Sequence, residues 1–106
     1  MLARKYRLPI SETRRKPART QVSAFFLLKI FGSLLPYNRV AVIIGKNAAK
    51  KSVTRHQWKR RLLALVRHWP NLGKDFLFIV SPTISNAAYA DVVAEIDKAR
   101  AKIENV

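Results

Sequence analysis

Apolar positions fall along this chain in five stretches whose spacing differs from one to the next. Residues 22–35 are a dense run of Phe, Leu and Ile that closes at Gly32-Ser33 and Pro36. Residues 39–46 alternate Val40, Val42 and Ile44 against Ala41, Ile43 and Gly45, the period of two that a strand produces. With Pro36, Tyr37 and Asn38 between them, the two runs predict a pair of antiparallel strands joined by a short loop. Gly32 marks a turn or bulge that would divide the first run. Farther on, Trp58, Leu62, Leu65 and Trp69 recur at i, i+4, i+7 and i+11 with Val66 beside them, one face of a helix that Pro70 ends. Asn71 to Lys74, with Gly73, reads as a loop. Residues 75–81, DFLFIVS, are then apolar on both faces, as a central strand requires. A last helix over residues 86–103, with Ser85 or Asn86 as N-cap, carries Tyr89, Val93, Ile96, Arg100 and Ile103 along one side, widened by Val92 and Ala99. Asp91 and Glu95 toward its start and Lys98, Arg100 and Lys102 toward its end suit the helix dipole, so it reads as structural.

Residues 1–21 show little periodicity, carry seven basic residues, and are punctuated by Pro9 and Pro17. One or two helical turns over residues 11–16 would stop at Pro17. This segment reads either as a basic arm ordered by contact or as a plain tail. The expected organisation is therefore an arm at 1–21 and a single α+β domain at 22–106, a small sheet with helices packed on one face.

Charge changes the picture. The 106 residues carry a net +15 on 12.1 kDa, with an isoelectric point near 11.3, the footprint of a nucleic-acid or anionic-surface partner. Residues 1–67 hold 17 of the 21 basic residues and Glu12 as their one acid. Eight of these bases (Lys46, Lys50, Lys51, Arg55, Lys59, Arg60, Arg61 and Arg67) crowd into residues 45–69, which contain no acid. On the helical wheel His56, Arg60 and Arg67 lie opposite the apolar face, flanked by Lys59. Lys46, Lys50 and Lys51 sit in or just before the first turn, where lysine opposes the dipole and a bound phosphate would reconcile the two. A solvated helix face usually mixes signs. Here Arg55 and Lys59 repel at i, i+4 with no Glu to relieve them. Along the first strand, alternation sends one of Phe25 and Phe26 away from the helix-covered core, a candidate stacking platform for an unpaired base.

Composition also excludes. Without cysteine there are no disulfides or thiolate metal sites, and an intracellular setting is the simpler assumption. His56 and His68 lie twelve apart without carboxylate neighbours, so neither reads as a zinc ligand, and no metal site is expected on the protein. The longest apolar run, residues 24–35, falls short of the ~20 residues of a membrane span and contains Lys29. Pro17 and Lys29 also argue against a secretory signal. Glu12 is the one acid before Asp75, so the clustered carboxylates of a protein-based metal nuclease are missing and no catalytic residue is expected.

The run Arg39-Val40-Ala41-Val42-Ile43-Ile44-Gly45-Lys46, followed by Lys51-Ser52-Val53-Thr54-Arg55-His56-Gln57-Trp58-Lys59-Arg60-Arg61-Leu62, resembles the signature of the bacterial ribonuclease P protein subunit. In that family a strand of the type RVGFVVSKKVG leads into a helix reading KAVxRNRxKRxLRE. The family's Arg-Asn-Arg stands here as Arg55-His56-Gln57, its following Arg-Glu as Leu63-Ala64, and its N-terminal helix looks shortened or missing. The resemblance covers roughly residues 22–103. It implies a ribosomal protein S5 domain 2-like fold with a left-handed βαβ crossover, against the usual handedness. It further implies a cytoplasmic, monomeric protein bound 1:1 to ribonuclease P RNA, not to a membrane. The RNA would hydrolyse precursor tRNA with Mg2+, while the protein's basic helix binds that RNA and its sheet face contacts the 5′ leader. The RNA-binding candidates are then Lys46, Lys50, Lys51, Arg55, His56, Gln57, Lys59, Arg60, Arg61 and Arg67, with Phe25 or Phe26 stacking on the leader. Two other readings share the charge: a small ribosomal or RNA-chaperone protein, and a membrane-surface protein, which would need an exposed apolar helix face.

Overall fold

The strands expected in residues 22–35 and 39–46 form, but they do not pair with each other. The computed structural model describes residues 3–104. In chain order it contains strands β1 (Arg19–Val22), β2 (Phe26–Gly32) and β3 (Arg39–Ile43), helix α1 (Ser52–Val66), strand β4 (Lys74–Val80) and helix α2 (Tyr89–Glu104). The sheet order is β1-β2-β4-β3. β4 runs antiparallel to β2, from Phe26↔Val80 to Gly32↔Lys74, and parallel to β3, from Arg39↔Asp75 to Ile43↔Ile79. The expected β2–β3 hairpin is thus replaced by an inserted strand. β4 is apolar on both faces, and only a central place satisfies both its faces and both its edges.

The hairpin that does form joins β1 to β2 through residues 23–25, where the Ser23 N–H donates to the Phe26 carbonyl at 2.9 Å. β1 reads Arg-Thr-Gln-Val and buries only Gln21, so no apolar period announces it. The proposed division at residue 21 therefore falls inside the first strand.

Val40, Val42, Phe76 and Phe78 face a helix layer in which α1 contributes Trp58, Leu62 and Val66, spaced i, i+4 and i+8. Leu65 is only half-buried. Trp69 is buried in the turn beyond α1, edge-on to Phe76 with ring centroids 5.2 Å apart. α1 is shorter than the segment 45–69 because Lys51 has an extended backbone and the Gly45 carbonyl accepts from the N–H groups of Ala48 and Ala49, curling residues 45–49 into a turn. α2 likewise starts later than expected. Pro82–Asn86 form a 3-10 turn, and Ser85, read as a cap, donates its hydroxyl to the Ala48 carbonyl. Asn38 is buried and clips the α1–β4 loop to β3: its Nδ2 donates to the Pro70 carbonyl at 2.9 Å, and its Oδ1 accepts from the Leu72 and Lys74 N–H groups.

The opposite face of the sheet carries a second, smaller cluster of Leu8, Phe31, Ala41 and Leu77. Residues of the basic arm pack on this face. Leu8 donates its N–H to the Val40 carbonyl at 3.0 Å beside an Arg7↔Val40 bridge, covering part of the β3 edge. Beneath the arm, the wholly buried Asp75 carboxylate accepts from Arg39 Nε at 2.9 Å and Arg39 Nη2 at 2.8 Å, and from Arg15 Nη2. Arg39 also donates to Glu12 at 3.0 and 3.2 Å. The hydrogen bonds that Arg39 donates to Asp75, and after them those it donates to Glu12, hold its guanidinium pKa above the ordinary value. Arg15 donates to the Glu12 and Gly32 carbonyls and lies 4.9 Å over the Phe31 ring.

Asp75→Ala leaves Arg39 mostly buried without its main partner and is expected to cost about 3–5 kcal/mol in urea unfolding. Glu12→Ala removes a half-exposed partner and should cost no more than about 1 kcal/mol. Gly73 has φ 65°, and an added Cβ would meet the Leu35 carbonyl oxygen at 2.8 Å. Gly73→Ala should therefore lose at least about 1–2 kcal/mol by the same measurement.

Candidate nucleic-acid interface

α1 is two-sided. While its apolar residues reach the sheet, Lys46, Lys50, Lys51, His56, Gln57, Lys59, Arg60 and Arg67 are all exposed. Among the described residues, no base of 45–69 has an acid within ion-pair distance. The acids that the fold brings near other bases are already used: Glu12 and Asp75 by Arg39, and Glu95 at 4.0 Å from Lys98. Unneutralised positive charge is therefore presented outward along the whole of α1. At its start the first turn has no acid, and the first backbone N–H groups carry no side-chain cap where the chain enters the helix through Lys46, Lys50 and Lys51.

Two of the ten candidates have their guanidinium groups held against other parts of the protein. Arg55 is half-buried and folds back, donating from Nη1 to the Ala49 and Lys50 carbonyls, both at 2.9 Å. It braces the lysine loop. Arg61 lies 4.9 Å from the Trp58 ring centroid and 5.4 Å from that of Tyr89. Arg67, beyond the far end of α1, borders a cleft of about 360 Å³ also lined by Tyr6, Asn38, Val40 and Asn71.

The stacking candidates need correction. Phe26 is 1% exposed and packs edge-on against Phe78 in the helix-side core, while Phe25 is half-buried against that same core. Strand alternation does not separate the pair because β2 begins at Phe26 and Phe25 still belongs to the turn, where its carbonyl accepts from Ser81. The ring on the open face is Phe31, which lies under Arg15. Its odd spacing from Phe26 is the sequence signal that would have found it.

What remains uncovered on the open face is a row in register across all four strands: Val22, Leu27, Ile79 and Ile43. Val22 and Ile43 are exposed, Leu27 and Ile79 half-buried, and Lys29 stands in the next row. The row ends at the edge where β3 hands over to the lysine loop, so an apolar strip and a cationic turn adjoin. No helix of the described residues is long and apolar enough to cross a membrane, and no three His, Asp or Glu side chains among them gather as a metal site.

Solved structures share this fold. The structure of the Staphylococcus aureus RNase P protein aligns over 95% of this chain and 96% of that one, with a TM-score of 0.79 at 15% identity. The RNase P protein from Thermotoga maritima aligns over 76% of this chain and 79% of that one, with a TM-score of 0.67 at 16% identity. At such identities these likenesses speak for the fold. No curated protein sequence matches the chain. A family model described as Ribonuclease P, however, matches residues 7–104, from the arm that crosses the sheet to the end of α2. With the basic helix, the four-stranded sheet and the sequence signature all lying inside that match, the chain belongs to the ribonuclease P protein family.

Proposed function

We propose that this protein, as the protein subunit of ribonuclease P, grips the catalytic RNA with the exposed side of α1 and the lysine loop before it, and lays the 5′ leader of precursor tRNA over the row Val22, Leu27, Ile79 and Ile43. The observation that carries this reading is the adjacency of an acid-free basic helix and an uncovered apolar sheet strip. Phosphates meet Lys46, Lys50, Lys51, Lys59 and Arg60, and His56 and Gln57 add polar contacts. The row offers aliphatic surface in place of aromatic stacking, so leader contacts are sequence-tolerant. Bond-breaking belongs to the RNA, together with the Mg2+ it uses. The protein's described residues offer no carboxylate cluster to hold such an ion. One protein per RNA, in the cytoplasm, completes the reading, since copies at +15 repel one another.

The test is cleavage of a precursor tRNA by a bacterial ribonuclease P RNA at low Mg2+, with and without this protein. Raised cleavage at the correct 5′ position, with no cleavage by the protein alone, is the expected outcome. Tight RNA binding without any gain in cleavage would leave a ribosomal or RNA-chaperone role instead. In binding titrations, Arg60→Ala should flatten the dependence of log K on log salt by roughly one unit. Arg55→Ala should instead lower the melting temperature as well as the affinity, because its guanidinium holds the loop.

A further inference from the structure

Spacing assigns Tyr89 to the apolar side of the last helix, yet its side chain is left 46% exposed at the first position of α2. Its neighbour is Arg61 of the basic helix. That guanidinium rests 4.9 Å from the centroid of the buried Trp58 indole and 5.4 Å from that of the Tyr89 phenol. Contact with the two rings orders a side chain that would otherwise sample many rotamers. The hydroxyl of Ser85, just before α2, donates to the carbonyl of Ala48 in the loop before α1, which fixes the start of one helix against the approach to the other. Tyr89 therefore stands on an extension of the α1 surface. At about 100° per residue, Asp91 and Glu95 lie roughly 200° and 240° round α2 from Tyr89, away from this contact.

We propose that Tyr89 and Arg61 form a docking site for one unpaired nucleotide of the partner RNA, the base stacking on the exposed part of the phenol ring and the adjoining phosphate pairing with the guanidinium. This rests on the reading of the chain as the RNA-binding subunit and extends that interface from α1 onto the first turn of α2. Stacking on an aromatic ring is tolerant of base identity, and the neighbouring cation supplies the charge that a free tyrosine lacks. Trp58 acts here as the floor on which Arg61 is positioned.

The experiment measures binding of the full chain to a bacterial ribonuclease P RNA across a salt series, comparing wild type with Tyr89→Phe, Tyr89→Leu and Arg61→Ala, with thermal unfolding to check each fold. Tyr89→Leu keeps apolar bulk over Arg61 and removes only the ring. It is expected to weaken binding by about 5- to 150-fold, the range of one lost stacked base, without changing the salt slope. Tyr89→Phe should bind within about twofold of wild type, and Arg61→Ala should lower the slope by roughly one unit. Wild-type affinity in Tyr89→Leu overturns the site while leaving the RNA-binding reading intact. Equal losses in Tyr89→Phe and Tyr89→Leu would assign the effect to the hydroxyl and overturn stacking. Failure of the wild-type protein to bind the RNA overturns the underlying reading and the site with it.

Discussion

A carboxylate buried in the middle of a sheet must find cations there, because an unpaired charge removed from water costs several kcal/mol. Asp75 sits on the central strand with no solvent contact, and its partners come from two other parts of the chain: Arg39 on the adjoining strand and Arg15 on the arm. Arg39 then holds Glu12, and Arg15 covers Phe31. One buried charge thus joins β3, β4 and the N-terminal segment on one face of the sheet. The desolvation of the pair argues against reading it as a large net stabiliser. Its effect is to specify which part of the face the arm occupies.

That placement shapes the candidate interface. The arm covers the rows containing Phe31, Asp75 and Arg39 at one end of the sheet, and Leu8 packs beside Ala41 and Leu77. The row of Val22, Leu27, Ile79 and Ile43 at the other end stays open, next to the lysine loop. The two acids of the arm and central strand are absorbed by arginines, and among the described residues no acid lies within ion-pair distance of the bases of α1. Basic residues that look alike in the sequence are therefore sorted by the fold: Arg15 and Arg39 serve the structure, Arg55 braces a loop, and Lys59 and Arg60 of α1 stay exposed.

Strong periodicity was legible in the sequence. The doubly buried β4 and the helical period of α1 and α2 follow from spacing alone, because burial on one or both sides imposes a period on the residues themselves, although the buried line of α2 runs through Val92, Ile96, Ala99 and Ile103 and leaves Tyr89 exposed and Val93 and Arg100 only half-buried. The family was legible too, in the bases between Lys51 and Arg61. Pairing was not. Nothing in residues 22–46 discloses that another strand will enter between β2 and β3, since hydrogen bonds between strands use backbone groups common to all residues. β1 was missed for a related reason: a short edge strand with one inward residue has no pattern to detect.

The sequence by itself determined the balance of charge, the segment that would carry it, and the apolar faces available for a core, all of which are sums or periods over neighbouring residues. Tertiary structure alone decided the role each base takes, because Arg15, Arg39, Arg55 and Arg61 differ only in what the fold brings within reach of their guanidinium groups: a carboxylate for the first two, backbone carbonyls for the third and aromatic rings for the last. It also decided that Phe26 is core and Tyr89 is surface. Phe26 opens a strand whose first side chain enters the helix-side core, and Tyr89 opens a helix at a position that leaves it 46% exposed.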